Sequence, residues 1–306
     1  MKFYVYLKNY NYYLRIERGM SENTVNSYCR DIKFFLLFID EHYEDITTID
    51  KITKEHIIDY IKYLHQKNIS ARSQARFLSS LKSFYKYLQI EDLVTELPCN
   101  DIDLPKISME LPDVLSVEEI EQILKSIDLS EPNGARNRAI IEVLYGCGLR
   151  VSELVNLKIS NIDFKESYIR VIGKGNKERL VPIGSIAQNQ LSIYINQIRS
   201  VGKIKSEYSD IVFLNRRGGK LSREMIFLIV KECVYNAGIN KNVSPHTFRH
   251  SFATHLIQNG ADIRIVQDML GHESIITTEI YTHIDKTYLK KVIDKCHPLY
   301  KKNLSI

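Results

Sequence analysis

Residues 246–283, HTFRHSFATHLIQNGADIRIVQDMLGHESIITTEIYTH, space their apolar positions at three- and four-residue steps and break that spacing at Gly260 and Gly271. They read as helices punctuated by glycine turns, and the same period runs from Ser222 to Lys295 with one more break at Gly238. The stretch also gathers His246, Arg249, His272 and Tyr281. Two imidazoles, a guanidinium and a phenol suit the attack of a side chain on a phosphodiester.

Upstream the period changes. SYIRVIGKGNKERLVPIG, residues 167–184, alternates Ile169 and Val171 before a Gly-Lys-Gly-Asn turn and places Leu180 and Val181 after it, so it reads as a β-hairpin. Ile211–Asn215, IVFLN, is expected to add a short third strand. ARNRAIIEVLYGCGLRVSELVNL, residues 135–157, reads as two helices joined at Gly146 and Gly148. Ahead of it, Ser116 followed by Glu118 and Glu119 marks a helix start. The fold class is therefore mainly α with a small β-sheet.

Residues 1–90 read as a separate helical domain. Leu7, Tyr10, Tyr13 and Leu14 form one stripe, and Ile57, Ile58, Ile61 and Leu64 another. Ser21, just after Gly19, caps the helix SENTVNSYCRDIKFFLLFI. A helix from Ser70 to about Leu88 has Phe77, Leu81, Phe84 and Leu88 on its core side. On another face Arg72, Arg76, Ser79, Ser83 and Lys86 follow the same pitch, either as a solvated stripe or as a row of phosphate contacts. Residues 91–112 lose all periodicity and carry Pro98, Pro105 and Pro112, which makes them the linker to a second domain at 113–306.

The chain of 306 residues is long enough for two such cores, with 44% hydrophobic residues. A formal charge of +5 means that any polyanion site arises from local clustering. Arg216, Arg217, Lys220 and Arg223 form one such cluster. The five cysteines are scattered and never form a CxxC pair, which argues against a disulfide framework or zinc knuckle and for a reducing cytoplasm. The N-terminus lacks a leader pattern and nowhere do about eighteen apolar residues run together, so the chain reads as neither exported nor membrane-spanning.

A phosphodiester repels nucleophiles, and its transition state spreads further negative charge over the equatorial oxygens, so cationic donors are the first requirement. Arg150, in GCGLRVSEL, and Arg249 are the candidates, because a guanidinium bonds two oxygens at once and keeps its charge. His246 lies three residues before Arg249 on one helix, within reach of the same phosphate. Lys174 at the hairpin tip can meet a leaving oxygen, and Tyr281 can serve as nucleophile. Each has a bland reading. Arg150 can pair with Glu153, Lys174 can be solvated beside Lys177 and Arg179, and His272 can cap a helix. His246, His250 and His255 invite a metal, but HExxH and nearby acidic partners are absent, so no metal is expected and His250 and His255 read as packing residues.

Taken together, GCGLRVSEL, IGKGNKER, HTFRHSFATHL, LGHES and IYTH, in that order, resemble the tyrosine recombinase (phage integrase) family, and most closely its Xer branch. The resemblance covers nearly the whole chain. It implies a SAM-like core-binding domain and a catalytic domain that form a C-shaped clamp on duplex DNA. It implies that Tyr281 is the nucleophile and forms a 3′-phosphotyrosyl bond. Arg150, His246, Arg249 and His272 would surround the phosphate, and Lys174 would protonate the leaving 5′ oxygen. No cofactor is implied. Arg72, Arg76, Ser79, Ser83 and Lys86, with Arg216, Arg217, Lys220 and Arg223, would contact DNA. Recombination needs four protomers on two duplexes, all of one kind or shared with a paralogous recombinase, and a divisome DNA translocase is a candidate further partner. The tail after Tyr281, with Tyr288, Leu289, Val292 and Ile293, would dock on a neighbouring protomer or fold back on its own domain. Plain length and the HPL tail favour chromosome dimer resolution over a mobile-element integrase or DNA invertase with the same chemistry. The core-binding domain resembles recombinases more closely than a type IB topoisomerase, and a non-cleaving DNA-binding protein is the alternative from another class.

Overall fold

A computed structural model describes residues 3–100, 102, 114–173, 177–271 and 286–301. The hairpin tip with Lys174, the segment with His272 and Tyr281, and half of the 91–112 stretch lie outside the described residues. The chain divides into two compact units, Met1–Glu110 and Leu111–Ile306.

The first unit is helical. Helix α1 (Tyr4–Tyr12) runs on through a π-helical turn, Tyr13–Glu17. Its stripe of Leu7, Tyr10, Tyr13 and Leu14 is buried. Helix α2 (Glu22–His42) starts on Ser21, whose hydroxyl accepts the Thr24 amide at 3.3 Å. Helices α3 (Lys54–Gln66) and α4 (Ala71–Ile90) complete the unit. Phe77, Leu81, Phe84 and Leu88 of α4 all face the core, where Tyr10 meets Phe84 edge-on at 5.1 Å. Each such side chain contributes about 1.5–3 kcal/mol of burial.

The second unit begins with α5 (Val117–Lys125), held by a capping box in which Ser116 and Glu119 satisfy each other's amides at 3.2 and 2.7 Å. Helix α6 (Gly134–Cys147) is buried nearly all round, from Ala139 through Tyr145. It ends at Gly148, whose φ of +58° and approach to the Phe252 ring exclude a larger residue. Gly146 lies inside α6 and does not break it. A glycine interrupts a helix only where the chain must turn; here it clears space for the Tyr300 hydroxyl. Helix α7 (Val151–Val155) follows, with Arg150 as its N-cap residue.

Strands β1 (Ile162–Asp163), β2 (Tyr168–Ile172) and β3 (Glu178–Pro182) form one antiparallel sheet in the order β1-β2-β3. The hairpin pairs Ile169 with Val181 and Val171 with Arg179. The third strand is not 211–215, as the sequence leads one to expect. Those residues make only isolated bridges, Lys158 to Ile211 and Leu214 to Lys220. Val212, Phe213 and Leu214 are apolar because they enter the core, where Phe213 stacks on Tyr194 at 5.6 Å. A short apolar run reports burial, not ladder pairing.

Helix α8 (Ser185–Ile193) continues as a π-helix, Tyr194–Arg199, and α9 (Arg223–Asn236), α10 (Pro245–Gln258) and α11 (Ile263–Leu270) follow. Helices α12 (Lys286–Cys296) and α13 (Pro298–Lys301) pack back on this unit, α12 against β3 and α10, and α13 against α8. Val292 and Ile293 of the tail stripe are buried and Leu289 is partly so; the Tyr288 side chain is not among those described. His297 is fully buried between the Tyr145 and Tyr300 rings, at 4.7 and 4.4 Å, and burial pushes its pKa down to about 3.

Candidate active site

Gly148 ends α6 in a left-handed turn, and two residues later Arg150 opens α7. The Arg150 amide donates to Glu153 Oε2 at 2.8 Å and its Nη1 to Glu153 Oε1 at 2.9 Å. The pairing with Glu153 is thus real, yet it leaves Nη2, which donates to the Gly271 carbonyl at 2.9 Å. Arg249 projects from the first turns of α10, which starts with Pro245 and a Ser244–Thr247 capping box. It is buried, and donates from Nη1 to the Gly148 carbonyl at 2.7 Å and from Nη2 to the Leu270 carbonyl at 2.5 Å. Burial and the neighbouring charge of Arg150 lower its pKa to about 10, so it stays cationic at neutral pH.

A third arginine joins them. Arg179 of β3 donates from Nη1 and Nη2 to the two oxygens of Glu153, both at 2.8 Å, and from Nε to the Met269 carbonyl at 2.8 Å. Three successive carbonyls at the end of α11 therefore each receive one guanidinium: Met269 from Arg179, Leu270 from Arg249 and Gly271 from Arg150. A helix leaves its last carbonyls unpaired and carries partial negative charge there, so cations are stabilised at this end. Three arginines face one carboxylate, a surplus of positive charge immediately before His272. Burial alone would raise the Glu153 carboxyl, but bonds from Arg179 and Arg150 outweigh it and hold it below the usual range.

The structure thus brings Arg150 and Arg249 together. His246 sits one turn before Arg249 on α10 and is exposed, whereas Arg249 is buried. Lys174, His272 and Tyr281 are outside the described residues. His255 packs as expected and shares a 2.9 Å hydrogen bond with the Tyr145 hydroxyl. His250 does not pack; it is exposed, because its position falls about 200° around α10 from Phe248 and Phe252. Arg179, which the sequence does not single out, has a side chain only 13% exposed. The available signal is its place in a strand where alternate residues turn inward, paired with buried Val171. Among the described residues no three His, Cys, Asp or Glu side chains are grouped to hold a metal.

On α4, Arg72, Arg76, Ser79 and Lys86 are exposed. Arg76 is tied by Nη2 to the buried Asp31 carboxylate at 2.9 Å, and Ser83 accepts the Tyr10 hydroxyl at 2.8 Å. Arg216, Arg217, Lys220 and Arg223 are exposed around the turn before α9, with Lys220 donating to Asn156 at 2.7 Å. A groove of about 900 Å³ beside Arg216 and Arg217 shares no residue with the three-arginine cluster.

Fold and cluster together define a two-unit, mainly helical protein with three arginines gathered at the end of one helix. Residues 113–287 match the phage integrase family, and residues 7–92 match its N-terminal SAM-like domain. The tyrosine recombinase XerD of Staphylococcus haemolyticus (strain JCSC1435) is 41% identical over 292 residues, which is 95% of this chain and 98% of that protein. The crystal structure of the XerH site-specific recombinase bound to its difH substrate in a pre-cleavage complex aligns at a TM-score of 0.65 and 27% identity, covering 87% of this chain and 78% of that one. A lambda integrase(75–356) dimer bound to a COC′ core site shares the fold at a TM-score of 0.70 and 18% identity, over 92% of this chain and 99% of that one. The chain belongs to the phage integrase family, in its Xer-type branch, and is a site-specific tyrosine recombinase, an enzyme that cuts and rejoins DNA strands.

Proposed function

We propose that this recombinase resolves chromosome dimers at cell division, acting at one duplex site through a 3′-phosphotyrosyl intermediate. The observation that carries the chemistry is the convergence of three arginines on the last carbonyls of α11, with Glu153, which bonds two of them, as the one carboxylate among them. Full-length similarity to XerD supports the cellular role.

In this reading the Tyr281 hydroxyl gives its proton to one of the two histidines as its oxygen attacks phosphorus, the bond to the 5′ oxygen breaks, and Lys174 protonates that leaving oxygen. Arg150 and Arg249 stabilise charge on the non-bridging oxygens, with His246 and His272 as further donors. A 5′ hydroxyl from the partner duplex then attacks the phosphotyrosine and releases Tyr281. The arginines supply the charge that a divalent metal supplies in other enzymes, and the phosphotyrosyl bond conserves the energy of the cut strand. The exposed cations of α4 and of the 216–223 cluster would bind backbone phosphates. Residues 1–90 would act as the core-binding domain, 91–112 as linker and 113–306 as catalytic domain in a cytoplasmic tetramer, homomeric or shared with a paralogue, with a divisome translocase as activator. The tail would move from its own unit to a neighbouring protomer.

Mapping bound sites across the host genome is the first test: one site near the replication terminus supports dimer resolution, and sites confined to the ends of a mobile element refute it. A nicked suicide duplex carrying that site should give an SDS-stable protein–DNA adduct that is lost in Tyr281→Phe. Persistence of the adduct in that variant would remove Tyr281 as nucleophile.

A further inference from the structure

We propose that Arg179 is a positioning residue for strand cleavage: it serves as the counter-ion of Glu153 and anchors the end of α11, so that Arg150 and Arg249 remain free to act on the phosphate. This rests on the transesterification reading above and deepens it.

The argument is one of charge and geometry. Glu153 has a side chain only 4% exposed and touches Arg150 twice, through the amide and through Nη1. A buried carboxylate with Arg150 as its sole cation would hold that guanidinium and cancel its charge toward any substrate. Arg179 changes the balance by binding both carboxylate oxygens in the fork geometry that only arginine provides. It neutralises Glu153, and Arg150 and Arg249 are left as two uncompensated cations. The third arm of Arg179 reaches the Met269 carbonyl, and its side chain lies against Gly271, where an added Cβ would come within 3.1 Å of Cδ. Arg179 thereby joins the return strand of the Lys174 hairpin, the start of α7 and the residue preceding His272. All three of its guanidinium nitrogens are committed to Glu153 and Met269, so it acts through its neighbours.

The test compares cleavage of a suicide duplex at saturating DNA in Arg179→Gln, Arg179→Lys, Glu153→Gln and the Arg179→Gln/Glu153→Gln pair. Arg199→Gln serves as control. Arg199 is equally withdrawn from solvent and bonds the Ile211 and Ser209 carbonyls at 2.9 and 2.6 Å, but has no contact with Glu153. Arg179→Gln should slow adduct formation about 10- to 100-fold with DNA affinity little changed. Adding Glu153→Gln should recover a large part of that loss, because it removes the orphaned charge. Arg179→Lys, which keeps the charge and loses the fork, should fall between, and gives a reading if the glutamine variant folds poorly. Arg199→Gln should lower the melting temperature and leave the cleavage rate unchanged. A wild-type cleavage rate in Arg179→Gln overturns the proposal, as does a loss that tracks melting temperature in both arginine variants or goes unrescued by Glu153→Gln. If the wild-type protein forms no adduct while binding its site, the transesterification reading fails first and this inference with it.

Discussion

Three buried carboxylates illustrate how differently one chain can treat the same group. Asp31, between α2 and α4, has one arginine, Arg76, and the Ser80 hydroxyl, both at 2.9 Å. Burial still raises its pKa above the ordinary value. Glu142, inside α6, has only Arg138 at 3.9 Å, and its Oε1 has no hydrogen-bond partner among the described residues; burial pushes it up to about 7. Glu153, with two arginines, is pulled down. At Glu153 the bonds from Arg179 and Arg150 outweigh burial, whereas at Asp31 and Glu142 burial prevails. Of the three, Glu153 alone bonds two guanidiniums, and Arg249 stands beside them as a further cation.

The comparison breaks most visibly at Arg249. Arg249→Ala removes a cation and orphans the Gly148 and Leu270 carbonyls, and should slow adduct formation about 10²- to 10³-fold. A slowing below tenfold would mean that the surplus charge does not act on the phosphate. Glu142 sharpens the contrast in stability. Between pH 4.5 and about 7 native Glu142 holds a proton that the unfolded chain has released, so it costs stability progressively as pH rises through that window. Glu142→Gln should therefore stabilise the protein by about 2–3 kcal/mol at pH 8 and by nothing at pH 4. Urea unfolding at the two pH values reads the difference, and an equal effect at both would remove ionisation as the cause. In Arg76→Ala, Asp31 keeps only Ser80 and becomes an underpaired buried charge. The cost should be about 1–2 kcal/mol at pH 7 and smaller at pH 4, where protonation relieves it; thermal melts at both values decide. Arg72, exposed on the same helix with no ion pair among the described residues, should leave stability unchanged on conversion to alanine. That variant should reduce the slope of log affinity against log salt by about one, measured by fluorescence anisotropy on the mapped site.

The helical stripes were legible because each reports only which side of a local period avoids water. Tyr10 and Leu14, or Phe84 and Leu88, need no knowledge of their partners to be placed inside. The hairpin was legible for the same reason, at period two. The third strand failed because Val212 and Phe213 satisfy burial without a ladder, a distinction that local pattern does not contain. Arg150 and Arg249 could be marked from their motifs, which bundle chemistry with position. Arg179 could not, since its three bonds go to residues of α7 and the end of α11, and nothing in KERLVP announces those partners. Lys174, His272 and Tyr281 were legible in the same way as Arg150 and Arg249, from motifs whose order matches the family.

Tyr300 fills a notch whose floor is Gly146 and Gly184, and a methyl group at Gly184 would overlap its ring. The two ends of the catalytic unit are consequently bound in a single heritable bargain. Gly184 can drift to alanine only in a lineage where position 300 has already shrunk, and a truncation that discards Tyr300 removes the nearest obstacle at both glycines, leaving Ala187 against Gly146. Among relatives, a larger residue at position 184 would date the loss of the tail's anchoring ring.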